Sequence, residues 1–234
     1  MIRFQSIREE ALEANMQLPA LGLVLFTFGN ASAVDRNQGV FAIKPSGVPY
    51  DELKPDNMVI VDFEGTVVDG TWRPSSDTKT HALLYKSWPE IGGIVHTHST
   101  YATAWAQTLK DIPVLGTTHA DHLTVPVPCA PPMKDEYIKG DYEHMTGFQI
   151  IDELNRRHLS YKDVEMILVG NHAPFTWGKN VQKAVYNSAV LESLAQMAYI
   201  SLKVNPDVSP MKDALIQKHW ERKHGSGSYY GQEI

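Results

Sequence analysis

The chain has 234 residues, 43% hydrophobic and 21% charged, enough for one α/β domain with a substantial core. Its net charge of −6 argues against a nonspecific nucleic-acid or membrane-surface binder, while a few local donors could still hold a phosphorylated small molecule. The single cysteine, Cys129, allows no intramolecular disulfide, the N-terminus lacks the apolar core of a signal peptide, and no apolar stretch could span a bilayer; a reducing, cytoplasmic setting is expected.

Taken in chain order, periodicity predicts a first helix over 7–16, with Ala11, Ala14 and Leu18 near one face and Pro19 as its stop. Short strands fit 24–28, 40–43 and 58–61, each bounded by Gly, Pro, Asp or Asn. A helix fits 80–88. The apolar run that follows closes in His96-Thr97-His98, after which Ser99 can cap a helix through 101–107. Helical patterns return over 141–157, 181–202 and 210–223, and a strand over 166–169 leads into Gly170-Asn171-His172-Ala173-Pro174. No linker or repeat interrupts the pattern, so residues 1–234 read as one domain, a mixed or antiparallel sheet flanked by helices. The tail, 225–234, is rich in glycine and serine yet carries Tyr229, Tyr230 and Ile234. Those groups would pack either on the chain's own surface or on a neighbouring subunit.

The chemistry concentrates in the histidines. His96 and His98, two apart on a strand, face one side with Cβ atoms roughly 6–7 Å apart and can converge on one divalent metal. His172, at the end of another strand, offers a third imidazole, the number a catalytic site with an open position needs. Pro74-Ser75-Ser76-Asp77 and Thr118-His119-Ala120-Asp121-His122 add clusters of hydroxyl, carboxylate and imidazole groups. Simpler readings stand beside these. Ser76 or Asp77 is an ordinary helix cap, Gly47 a turn glycine, Cys129 an apolar filler, and His81, His144 and His158 surface or helix residues. His119 and His122 are each placed to support Asp121.

Gly29-Asn30, Lys44-Pro45-Ser46-Gly47, Pro74-Ser75-Ser76-Asp77, His96-Thr97-His98, Gly116-Thr117-Thr118-His119-Ala120-Asp121, His172 and Tyr229-Tyr230-Gly231-Gln232 together resemble the L-ribulose-5-phosphate 4-epimerases of the class II aldolase/epimerase superfamily. The resemblance spans nearly the whole chain in order. It implies a single-domain class II aldolase-like α/β fold, with a central mainly antiparallel sheet flanked by helices. It also implies one Zn2+ per subunit on His96, His98 and His172, with Asp77 as a fourth ligand or as a partner of one. Substrate and phosphate contacts would fall on Gly29, Asn30, Lys44, Ser46, Gly47, Ser75 and Ser76. Asp121 and Tyr230 would be the acid/base pair, the tyrosine supplied by an adjacent subunit of a homotetramer, and His219 a further active-site histidine. The chain departs from the family pattern at Phe28, at His122-Leu123-Thr124-Val125 and around His172, where Asn171 and Ala173 stand.

The implied reaction is interconversion of L-ribulose 5-phosphate and D-xylulose 5-phosphate in L-arabinose, L-ascorbate or related catabolism. The C4 hydrogen, β to the ketone, is not acidic, so inversion would proceed by retro-aldol cleavage of C3–C4, rotation of glycolaldehyde phosphate and re-addition. A class II aldolase releasing the fragments is the alternative. Those enzymes carry a glutamate near the metal where this chain has Ser75-Ser76-Asp77, which favours epimerisation. A metal-dependent sugar-phosphate binding protein without turnover is the alternative of another class.

Overall fold

The computed structural model describes residues 3–224. Eight strands form one sheet: β1 (Asn30–Asp35), β2 (Val40–Ile43), β3 (Val59–Asp62), β4 (Val67–Asp69), β5 (Gly93–His96), β6 (Cys129–Ala130), β7 (Met166–Val169) and β8 (Pro174–Gly178). Their order is β4-β3-β2-β1-β5-β8-β7-β6, antiparallel throughout except for the β6–β7 pair at one edge. The helices are α1 (Gln5–Ala20), α2 (Thr78–Ser87), α3 (Thr100–Thr108), α4 (Thr117–Ala120), α5 (Asp135–Ile138), α6 (Tyr142–Arg156), α7 (Val181–Val204) and α8 (Asp213–His224). None of the described helices is long and apolar enough to cross a membrane.

Strand periodicity divides the core. Phe41 and Ile43 of β2 join Tyr85 of α2 and Ile150 of α6, while Val40 and Ala42 join Ala11, Ala14 and Leu18 of α1. The sheet therefore buries both faces, as the α/β reading requires.

Pro19 does not stop the first helix. It lies inside the last turn, and the helix ends in a pair of bonds from the Gly22 N–H to the Pro19 carbonyl and from the Leu23 N–H to the Leu18 carbonyl. Gly22 there has φ +69°, the left-handed terminus that glycine accepts most readily. The strand expected over 24–28 is absent as well. Leu25, Phe26 and Phe28 are exposed, and the strand begins two residues later, at Asn30. Local propensity disfavours Asn-Ala-Ser-Ala-Val-Asp as a strand. Tertiary bonds override it: the Asn15 side chain of α1 donates to the Ala31 carbonyl at 2.8 Å and accepts from the Ala31 N–H at 2.9 Å. Pro174, expected in a loop, instead opens β8.

Candidate active site

The centre of the sheet builds the site. Antiparallel register sets Asn30 of β1 opposite His96 of β5, and His96 opposite Phe175 of β8. The backbone before Asn30 passes so close to β5 that a Cβ on Gly29 would lie 2.9 Å from the His96 carbonyl oxygen; Gly29 also has φ +76°, so only glycine fits. His172 lies in the turn joining β7 to β8. Asn171 is left-handed there at φ 60°, and the His172 N–H donates to the Val169 carbonyl at 3.0 Å.

His96, His98 and His172 converge. Their ring centroids lie 4.8–5.2 Å apart, and one ligand nitrogen from each lies within 4.8 Å of the others. His96 Nδ1–H donates to the Pro174 carbonyl at 2.9 Å and its ring stacks on Phe175 at 4.1 Å, which fixes the tautomer and leaves Nε2 as the lone pair. Burial, reinforced by the neighbouring His98, pushes His96 down to about 3; His172 falls for the same reasons, burial first and then His96 and His98. His96 and His172 are thus neutral at physiological pH, and burial lowers His98 in the same direction. Imidazole nitrogens with no thiolate suit a borderline divalent cation, and His172 Nδ1 is buried without a hydrogen-bond partner among the described residues, so the residues fit a metal.

Asp77, expected at or beside the metal, is not one of the three converging groups. Its Oδ2 accepts from Asn30 Nδ2 at 2.6 Å, and Ser75 Oγ lies 3.5 Å away. It occupies the N-terminal cap position of α2 but makes no side-chain cap bond, so the ordinary cap reading fails for it.

A cavity of about 460 Å³ opens beside the triad. It is lined by every expected metal and substrate residue: Gly29, Asn30, Lys44, Ser46, Gly47, Ser75, Ser76, Asp77, His96, His98 and His172. The loops carrying the serines are clasped together, Ser75 N–H to the Lys44 carbonyl at 3.0 Å and Ser46 N–H to the Arg73 carbonyl at 2.9 Å, around a Pro45–Pro74 bridge. Those two backbone donors are consumed, and the Ser75 hydroxyl accepts from Asn30 Nδ2 at 3.0 Å. Among the described residues Lys44 Nζ meets only the Thr27 and Pro45 carbonyls, at 3.3 and 3.4 Å, and the Tyr50 ring at 4.9 Å. Burial without a carboxylate lowers it to about 8. A buried cation without an anion, facing a polar cavity, is arranged for an anionic ligand.

Sequence reasoning missed two residues here. Glu143 of α6 lines the same cavity, and burial, with Asp77 and Asp141 nearby, raises it to about 7, a range useful for proton transfer. His81, expected as a surface or helix residue, is fully buried behind the site. Its neighbours in sequence are mixed, Lys79-Thr80 before it and Ala82-Leu83-Leu84 after it, so the pattern did not mark this position as buried.

Asp121 and His219 come together, but not at this cavity. His219 Nδ1 donates to Asp121 Oδ1 at 3.0 Å; Arg222 donates to both carboxylate oxygens at 3.1 and 2.8 Å, and Lys223 Nζ lies 3.4 Å away. Burial alone would raise the Asp121 carboxyl; the bonds from Arg222 and His219, with Lys223, outweigh it and hold the group at about 2. Neither His119 nor His122 supports Asp121. His119 bonds the Val125 carbonyl, and His122 bonds the Thr118 carbonyl and the Tyr186 hydroxyl. The partners came from α8, about a hundred residues away. Tyr230 and the tail over 225–234 lie outside the described residues.

The model for the class II aldolase and adducin N-terminal domain matches residues 9–199. A protein of Salmonella paratyphi A (strain ATCC 9150 / SARB42) named L-ribulose-5-phosphate 4-epimerase UlaF is 49% identical over 229 residues, covering 98% of this chain and all of the relative. Among solved structures, an aldolase II superfamily protein from Pseudomonas syringae superposes with TM-score 0.77 at 18% identity, covering 97% of this chain and 88% of its own. An L-fuculose 1-phosphate aldolase superposes with TM-score 0.76 at 23% identity, covering 92% and 95%. At those identities the two structures speak to the fold.

Proposed function

The chain belongs to the class II aldolase and adducin N-terminal domain family, and from that membership we propose that it is a zinc-dependent 4-epimerase interconverting L-ribulose 5-phosphate and D-xylulose 5-phosphate. The observation that carries this reading is the 49% identity, end to end, with a protein named for that activity. The cavity supports it, since three imidazoles and an unneutralised lysine suit a metal-assisted reaction of a phosphorylated sugar.

In this reading His96, His98 and His172 hold one ion per subunit, with Asp77 beside it. The bound cation supplies Lewis-acid stabilisation of the negative charge that C3–C4 cleavage leaves on the three-carbon fragment. Lys44 and Asn30, with Gly29, Gly47 and the hydroxyls of Ser46, Ser75 and Ser76, grip the phosphate so that glycolaldehyde phosphate turns over without leaving. The C4 oxygen gives up its proton on one face and takes one back on the other, which calls for two acid/base groups, Asp121 and Tyr230. Asp121 is ionised at neutral pH and held so by its cationic neighbours, with His219 bonded to it. For these groups to meet the cavity, the α8 end of one protomer and its tail reach the site of the next. The chain then works as one domain in a homotetramer, in the cytoplasm, on a small-molecule substrate and without a nucleic-acid or membrane partner.

Zinc-loaded protein given L-ribulose 5-phosphate is expected to produce D-xylulose 5-phosphate. Accumulation of free glycolaldehyde phosphate without it would make the protein an aldolase. Binding without any turnover would make it a sugar-phosphate binding protein.

A further inference from the structure

His81 lies one turn into α2 from Asp77, its N–H donating to the Asp77 carbonyl at 3.0 Å, and its ring is entirely buried. Its Nδ1 lies 2.7 Å from Ser32 Oγ, which lies 2.8 Å from the Tyr85 hydroxyl, which in turn donates to the Ser32 carbonyl at 2.9 Å. Only one arrangement of protons serves every member of this chain. Tyr85 spends its proton on the carbonyl, so Ser32 donates to the Tyr85 oxygen and His81 Nδ1–H donates to Ser32 Oγ. His81 Nε2 is then a buried lone pair with no donor among the described residues, a desolvation cost that an apolar side chain would avoid.

What the imidazole secures is placement. Asn30 and Ser32 are two apart on β1 and so project to one face, and each bonds one residue of α2's first turns: Asn30 to Asp77 at 2.6 Å, Ser32 to His81. The two bonds are successive rungs between the strand paired with β5 and the helix that carries the Ser75–Asp77 turn. The ligand triad hangs from β5 and the β7–β8 turn; the His81 ring meets it only edge-on through Phe175, at 6.3 Å, the ring on which His96 stacks, and shares no hydrogen bond with it.

We infer that His81, acting through Ser32 and Tyr85, is a positioning residue that holds Asp77 and Ser75 against Asn30 on the substrate side of the cavity. Its effect on turnover rests on the epimerase reading above; its effect on the Asn30–Asp77 bond does not.

The test compares zinc-loaded wild type with His81→Leu, Ser32→Ala and the double variant. Exchange of the Asn30 side-chain amide protons is followed by NMR, alongside zinc affinity, melting temperature and the kinetic constants for L-ribulose 5-phosphate. Each single variant is expected to speed Asn30 amide exchange and to lower kcat/KM on the order of 10-fold, mainly through KM. Zinc affinity should stay within about two-fold, and the double variant should be no worse than either single one. His81→Asn, whose amide can donate where Nδ1 does, should restore both the exchange and KM. A lower melting temperature with Asn30 exchange and KM unchanged would overturn the inference, as would loss of zinc affinity alone. Should His81→Leu fail to fold, Ser32→Ala and the Asn rescue carry the same comparison. A wild type without epimerase turnover would sink the epimerase reading, while Asn30 exchange would still decide this one.

Discussion

The helix that follows the ligand pair takes its N-terminal cap from elsewhere in the chain. Ser99 occupies the cap position of α3 but makes no side-chain cap bond, and its hydroxyl is buried without a partner among the described residues. The exposed N–H groups are satisfied by Glu192 of α7: Oε1 accepts from Tyr101 N at 2.8 Å and Oε2 from Ala102 N at 2.9 Å. A carboxylate at a helix N-terminus gains from charge-assisted bonds and from the helix dipole. Losing a cap costs about 1 kcal/mol and a hydrogen bond to a charged group about 1.5–3 kcal/mol, while water can reach this half-buried site and recover part of the loss. Glu192→Ala should therefore destabilise by about 2 kcal/mol, a fall in melting temperature of roughly 4–8 °C for a chain of this length. Glu192→Gln, which keeps one acceptor, should cost about half as much. Urea unfolding and calorimetry at neutral pH measure both. Ser99→Ala is the control, expected within about 0.5 kcal/mol of wild type. A serious loss in Ser99→Ala, or none in Glu192→Ala, would refute the assignment of the cap to α7.

Other outcomes follow from the same geometry. A Cβ on Gly93 would lie 2.2 Å from the Val181 Cα, a backbone clash, so Gly93→Ala should cost about 3 kcal/mol or more and displace α7 from β5. Chelation should lower the melting temperature, and zinc at about 100 times its Kd should restore roughly 2.7 kcal/mol; His172→Ala should show no zinc-dependent gain in a thermal-shift titration. Lys44 is held at about 8, below the ordinary lysine value, so its buried charge opposes folding fully below pH 8 and ceases to do so once lysine is neutral in both states. Lys44→Met should therefore melt higher than wild type at pH 7, and wild-type kcat/KM should fall as pH climbs through 8 and the phosphate-facing ammonium is lost. Asp121, held at about 2, stabilises the fold fully above the ordinary aspartate range and loses that contribution as pH falls toward 2. Asp121→Asn should flatten the stability–pH curve across that window, measured by denaturant melts.

The triad was legible because strand ends are local signals: His96 closes β5, His98 follows two residues on, just past the strand's end rather than within it, and His172 follows an unmistakable apolar run. The substrate loop residues were legible only jointly, through their resemblance to a family, since each alone reads as a turn or cap. What stayed hidden was set by distant partners. β1 depends on Asn15, the cap of α3 on Glu192, and the charge of Asp121 on residues of α8. His81 and Glu143 sit on helices whose polar sequences do not reveal which face a fold will bury. Pro19 was read as a stop by its missing N–H, yet in the final turn Gly22 sets the end.

The uncharged state of His96 and His172 bears on how an ion would enter. Where ligands must shed protons before they can coordinate, metal uptake acidifies the medium and its heat depends on the buffer that absorbs the acid. Here His96 and His172 carry no proton to shed anywhere near neutrality, and the one on His96 Nδ1 is engaged with Pro174 and stays. Loading in two buffers of very different ionisation enthalpy should thus release nearly the same heat, the calorimetric mark of a receptacle made ready by the fold itself.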